Sequence, residues 1–557
     1  MSLPEAAGTR VLRTAPAAGD GGPSPVAGNH PVPTLPAAVD IYDTTLRDGS
    51  QQEGLSLTVD DKLRVARQLD ELGVAYIEGG WPGANPKDDE FFQRAPAELK
   101  LSTATLVAFG STRRPGGRAD VDETLRHLLR AETSAVCIVA KAWDRHVTQA
   151  LRTDLGEAVA MAADSVRFLR AAGRRVFLDA EHFFDGWKAN PEFSLRVLAA
   201  AEEAGAEALV LCDTNGGTLP HEVEEIVTDV RRRTSAQIGL HFHNDGGCGV
   251  ANTLTGVRMG ATQVQGCVNG YGERTGNADL CAAIPDLTLK MGVHTIGPER
   301  LGRLAPVARH IAELVNIAPN PQQPYVGQSA FATKAGLHTS AIARGRDLYS
   351  HADPGAVGNS SRVMVGELSG RSTIAMKAAE LGLDLDALAI GDILSKLKEL
   401  EYQGYHFEVA DGSLELLMRN AGGWEQSFFR LESSRVITEQ REDGRFVTEA
   451  TIKIHVGGDR VVATAEGNGP VNALDAALRQ AIGSRYPALA GVHLTDYKVR
   501  VLDTAKGTAA VTRVLIDSTD GERSWSTIGV SENIIEASWQ ALSDSIVYGL
   551  LHAGNQE

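Results

Sequence analysis

The sequence predicts a (β/α)8 barrel followed by a helical linker region and a C-terminal α+β domain with two ββα-type repeats. Three observations point there. Eight short apolar runs, at 39–46, 75–79, 101–109, 134–141, 175–183, 207–213, 237–243 and 263–269, alternate with intervals that mostly fit helices over roughly 250 residues. The hydrophobic period changes from about residue 425. No GxGxxG follows the first run, which disfavours the other candidate, a doubly wound sheet. At 557 residues the chain is too long for one hydrophobic core.

Residues 1–38, rich in Ala, Pro and Gly without periodicity, read as a disordered extension. The barrel is expected over 39–300, linker subdomains over 301–424 and a regulatory or dimerisation domain over 425–557. Within the barrel, TVDDKLRVARQLDELG (58–73) is a model helix, with Thr58 as cap and Gly73 as stop, and SLRVLAAAEEAG (194–205) repeats the pattern. In the linker, helical stretches flank a polar segment, 345–372. Beyond it, FVTEATIKIHV (446–456) alternates as a strand, 459–482 reads as strand, Gly turn and helix, and 522–546 does the same.

Composition narrows the partners. A net charge of -17 argues against nucleic acid or an anionic membrane. Five cysteines without CxxC spacing read as reduced core thiols of a cytoplasmic protein. No apolar run reaches about 18 residues, and the N-terminus lacks the apolar centre of a signal peptide.

In a barrel of this kind, polar side chains at the C-terminal ends of strands face the active site. Those ends carry Arg47 and Asp48 on strand 1, Glu78 on strand 2, Glu181 and His182 on strand 5, Asp213, Thr214 and Asn215 on strand 6, and His241 and His243 on strand 7. Two residues apart on a strand, His241 and His243 point to one side. Two neutral imidazoles with a carboxylate suit a divalent metal such as Mn, Zn, Co or Fe, and Asp48 is the natural carboxylate once the barrel closes. Asn277 can add an amide oxygen. The loop NGYGERTGN (269–277) reads either as one that needs positive φ or as one whose amides approach a phosphate or thioester.

Taken together, DTTLRDGSQ (43–51), LHFHNDGG (240–247) and NGYGERTGN (269–277) resemble the barrel of the 2-isopropylmalate synthase and homocitrate synthase family, metal-dependent Claisen-condensing enzymes. AGLHTSAI (335–342) and the C-terminal repeats resemble that family's linker and regulatory regions, so the resemblance spans about 39–557. Gly80-Trp81-Pro82 and Lys141-Ala142-Trp143 stand where 2-isopropylmalate synthases carry Gly-Phe-Pro and Thr-Ser. Indoles at Trp81 and Trp143 that shrink the keto-acid pocket favour pyruvate over branched 2-oxoisovalerate, unless they merely pack under the rim.

The resemblance implies a homodimeric acyltransferase that condenses acetyl-CoA with pyruvate and hydrolyses the thioester. It puts a divalent metal (Mn, Mg, Zn or Co) on Asp48, His241, His243 and Asn277. Arg47 would donate to the ketone oxygen, Thr214 would hold the keto-acid carboxylate, and Glu78 would either orient Arg47 or the metal's water or serve only as a buried salt-bridge partner. Acetyl-CoA would lie near Gly270, Gly272, Glu273, Arg274 and Gly276. Glu181 and His338 would serve proton transfer, with Tyr349 in support. The C-terminal domain would bind an end-product amino acid, with isoleucine expected. Synthesis of isopropylmalate or homocitrate, an aldolase or lyase, and an amino-acid sensor on an inactive barrel are the competing readings. Cleavage of a hydroxymethylglutaryl-type thioester is disfavoured, because the strand-8 loop has no cysteine from Gly270 to Asn277.

Overall fold

A computed structural model describes residues 35–333, 345, 348–367, 369–502 and 504–553. Eight parallel strands close into a barrel: β1 (Asp40–Asp43), β2 (Tyr76–Gly80), β3 (Thr105–Ser111), β4 (Ala135–Lys141), β5 (Arg175–Glu181), β6 (Ala208–Asp213), β7 (Gln237–Phe242) and β8 (Gln263–Gly266). Each lies within or next to one of the eight apolar runs. β1 pairs with β8, Asp40 opposite Gln263 and Asp43 opposite Gly266, and this pairing carries the residues after β1 to the end of β7.

The helices between the strands follow their local signals. In Val59–Leu72, Thr58 Oγ1 accepts from Asp61 N–H while the Asp61 carboxylate accepts from Thr58 N–H, and Gly73 ends the helix in the left-handed region at φ 94°. The helix expected near 194 begins earlier, at Pro191, because Asn190 caps it through Phe193 N–H. The barrel interior below the strand ends is filled by Tyr42, Tyr76, Val107, Phe109, Cys137 and Phe177, so its floor is packed side chains. All five cysteines are free thiols, four of them buried.

After the barrel, helices at Leu304–Leu314, Arg371–Glu380, Ala387–Gln403 and Asp411–Ala421 flank the polar segment, which contributes a short pairing of Arg362–Val363 with Ala332–Thr333. Each C-terminal repeat carries one strand more than expected. The strands Arg430–Gln440, Phe446–Val456 and Asp459–Gly467 precede the helix Pro470–Ile482, and His493–Val501, Thr512–Thr519 and Ser524–Ser531 precede Ile534–Ala553. The added strand of each repeat is almost wholly exposed and lacks the buried-exposed alternation that makes a strand legible. No described helix is long and apolar enough to cross a membrane.

One half-buried acid joins linker and C-terminal elements. Asp544, on the last helix, accepts from Ser413 Oγ at 2.6 Å, and burial raises its carboxyl to about 6. A raised acid favours the folded state most at low pH, and that contribution fades as pH climbs through about 6. Asp544→Asn removes this loss. Raising a carboxyl from its ordinary 3.8 to about 6 corresponds to about 3 kcal/mol, and the half-buried setting reduces this to roughly 1–2 kcal/mol. Thermal unfolding is expected to show the variant more stable than wild type at pH 8 and equal to it at pH 4; the same gain at both would overturn the assignment.

Candidate active site at the barrel mouth

The turn after β1 is tied to β8 by its own side chains. Asp43, fully buried, accepts from Thr45 N–H (2.8 Å) and Thr45 Oγ1 (2.9 Å), while Thr45 Oγ1 accepts from Val268 N–H. Thr44 Oγ1 donates to Gly266 O at 3.1 Å. This stitching sets the position from which Arg47 and Asp48 project.

Asp48 meets the two imidazoles there. Its Oδ2 lies 3.4 Å from His241 Nε2 and 3.8 Å from His243 Nε2, and all three side chains are buried. They are one of two groups of metal-ligand type among the described residues. Asn277 Nδ2 donates to Asp48 Oδ1 (3.1 Å) and Tyr271 O (3.0 Å), which leaves Asn277 Oδ1 buried without a partner among the described residues. His243 Nδ1 is likewise buried and without a partner among the described residues. An orphaned buried polar atom costs about 1–3 kcal/mol, so an amide oxygen left bare beside a carboxylate and two imidazoles fits a cation. Burial alone would raise the Asp48 carboxyl, but Arg47 and His241 outweigh it and hold it well below the usual range. Burial and the neighbouring His241 lower His243 to about 4, which keeps its imidazole neutral and able to ligate.

Arg47 is locked from three sides. Its Nε donates to Glu78 Oε2 at 2.5 Å, its Nη1 donates to Asp48 Oδ2 at 2.9 Å, and its guanidinium carbon sits 3.9 Å from the centre of the Phe109 ring. Glu78 also accepts from Tyr42 OH at 2.7 Å. Of the sequence options for Glu78, the geometry shows the buried ion pair with Arg47, a contact that serves the salt-bridge and the orienting readings alike. Phe109, missed in the sequence, continues to Trp81 as an edge-to-face pair at 5.2 Å. Trp143 lies elsewhere on the rim: it stacks on His146 at 5.0 Å and tilts against His182 at 5.8 Å.

Glu181, at the end of β5, pairs with Lys141 at the end of β4, and the two are register partners. Lys141 received no role from the sequence. Thr214 Oγ1 accepts from His182 N–H at 2.9 Å, which leaves the hydroxyl proton to donate. Asp213 ties its own turn through Thr218 N–H (3.0 Å) and Thr218 Oγ1 (2.9 Å).

In the strand-8 loop, Gly270, Gly272 and Gly276 all have positive φ. A side chain on Gly276 would run into Gly270 O, so glycine is required there whatever the loop binds. Arg274 is engaged with Asp245 (2.7 and 2.9 Å) and Thr214 O (2.7 Å), and Glu273 stands off at 3.8 Å. Its guanidinium thus holds the loop against the ends of β6 and β7. Tyr349 is 49% exposed on the linker, and His338 lies outside the described residues.

Fold and site together define a barrel enzyme of the Claisen and lyase class joined to a separate α+β domain, and the comparisons agree. Residues 38–297 match the HMGL-like family, 325–404 the homocitrate synthase post-HMGL domain-like family, and 408–550 the LeuA allosteric (dimerisation) domain. Over 92% of its length the chain is 53% identical to an (R)-citramalate synthase of Streptomyces coelicolor, covering 97% of that protein. It is 51% identical to one of Synechocystis over 92% of this chain and 96% of that one. Identity is 30% to a 2-isopropylmalate synthase of Pyrococcus furiosus, over 90% and 97% respectively. The chain belongs to the (R)-citramalate synthase family.

Proposed function

We propose that this chain condenses acetyl-CoA with pyruvate to (R)-citramalate and hydrolyses the thioester. The observation that carries the reading is the meeting of Asp48 with His241 and His243 beside Arg47, in a chain so similar to (R)-citramalate synthases. Asp48, His241, His243 and Asn277 would hold a divalent ion. When bound, it supplies Lewis acidity to the ketone of the keto acid.

The chain's own residues do the rest. Arg47, with Nε and Nη1 engaged, keeps Nη2 as a donor to the ketone oxygen as negative charge develops on it. Thr214 donates its hydroxyl proton to the keto-acid carboxylate. Acetyl-CoA lies along the loop from Gly270 to Gly276. Its methyl gives up a proton to Glu181 or His338, with Tyr349 in support, and the resulting carbanion carbon bonds to C2 of pyruvate. The ketone oxygen becomes an alkoxide, takes up one proton in place of the one lost from the methyl, and ends as the tertiary hydroxyl. Water then adds to the thioester carbonyl, the C–S bond breaks, and coenzyme A leaves as the thiol.

Phe109 lies under Arg47 and meets Trp81 edge to face, and an indole there would shrink the keto-acid pocket and favour the methyl of pyruvate over larger groups. A misfit of one or two methyls is worth about 1–3 kcal/mol, or roughly 10–200-fold. Thiol release from acetyl-CoA is expected to be fastest with pyruvate, at least about tenfold slower with 2-oxoisovalerate and slower again with 2-oxoglutarate. A preference for 2-oxoisovalerate would overturn the pocket argument, and no release with any of the three would overturn the synthase reading.

The 408–550 region would form a homodimer and take an amino-acid effector, isoleucine by the logic of end-product control. Such an effector inhibits only by binding the active and inactive states with different affinity.

A further inference from the structure

The tautomer of His241 is decided outside the ligand set. A neutral imidazole carries one N–H and one lone pair, and a ligand must turn the lone pair to the ion. His241 Nδ1 lies 2.9 Å from Gln265 Oε1, a carbonyl oxygen that can only accept, so Nδ1 carries the proton and the lone pair falls on Nε2, the atom that faces Asp48. The direction of the Gln265 amide is fixed in turn. Its Nε2 donates to Asp179 Oδ1 at 3.2 Å, and Cys137 Sγ donates to the same oxygen at 3.1 Å. A reversed amide would set its oxygen against the Asp179 carboxylate and its N–H groups against His241. Register supports the contact, since His241 and Gln265 are cross-strand partners on β7 and β8. His241, Gln265 and Asp179 are all buried, so no solvent competes for these bonds.

We propose that Gln265, oriented by Asp179, is a positioning residue that holds His241 with Nε2 free to ligate. The proposal rests on reading Asp48, His241 and His243 as the metal holders, and the experiment separates the two. Full-length apoprotein is titrated with Mn(II) alone, and the Co(II)-loaded protein is followed by visible absorption. Outer hydrogen-bond partners of a metal ligand are typically worth about 10–100-fold in affinity. Gln265→Leu is expected to lose about that much Mn(II) affinity and to alter the Co(II) spectrum. Gln265→Glu, which faces one carboxylate with another, is expected to lose a similar amount. The double swap Asp179→Asn with Gln265→Glu restores donor to acceptor along the whole chain and is expected to recover affinity to within about threefold of wild type. That rescue separates positioning from a general packing defect, and it keeps the test decisive if Gln265→Leu does not fold. Wild-type affinity and spectrum in Gln265→Leu and Gln265→Glu, or a double swap no better than Gln265→Glu, would overturn the relay while His241→Ala still abolishes binding. Wild-type binding by His241→Ala would overturn the metal reading itself.

Discussion

Asp48→Asn is expected to release the metal and stop the reaction without unfolding the barrel. The change removes the one anionic group among the four proposed ligands and alters shape hardly at all. The Asn oxygen can still accept from Arg47 Nη1, so the turn after β1 keeps its anchor. Mutating even an outer partner of a ligand costs about 10–100-fold, so about 100-fold is the floor for the loss of affinity here. The checks are metal content by elemental analysis after gel filtration, thiol release with pyruvate and acetyl-CoA, and far-UV circular dichroism. A variant that keeps one ion per chain and turns over normally would remove Asp48 from the site.

Arg47→Lys is expected to keep the metal and lose the rate. Lysine retains a positive charge near Glu78, which avoids leaving a buried carboxylate unpaired, a change that would cost about 3–5 kcal/mol and confuse the result. It cannot reproduce the planar fork that reaches Glu78, Asp48 and the Phe109 face together. Removing one preorganised donor to a developing oxyanion costs roughly 100–1,000-fold in kcat, about 2.7–4 kcal/mol. The signature is therefore a kcat lowered by about that factor with Mn(II) affinity near wild type. A kcat within about threefold of wild type would mean that Arg47 does not act on the oxyanion.

The barrel was legible because each strand is a short buried apolar run, and because chemistry collects where those runs end. Asp48, His241 and His243 were readable for a second reason: two imidazoles at a spacing of two must share a face, and barrel closure brings β1 and β7 to one mouth. What escaped the sequence is of another residue type. Gln265 and Phe109 are a neutral amide and a ring inside apolar runs, where core packing is the ordinary explanation. A faint signal for the amide existed, because Gln263 and Gln265 alternate along a strand whose other side chains are apolar. Lys141 was in view without a role, because its pairing with Glu181 depends on strand register. Arg274 was legible as a local ion-pair partner of Glu273, and only the fold revealed Asp245 as the nearer one.

The buried pair of Lys62 and Asp88 ties the outer helices to the end of β2. Asp88 Oδ2 accepts from Trp81 N–H at 2.9 Å, and a side chain on Gly80, at φ 145°, would strike that carboxylate. The backbone that carries the Trp81 indole is thus held by an ion pair between two outer helices. Neutralising either end would strand the other charge, so the hanger cannot loosen without endangering the barrel. If the indole sets the keto-acid preference, a change toward bulkier keto acids has a narrow route: it must trim the indole itself and leave its mounting alone.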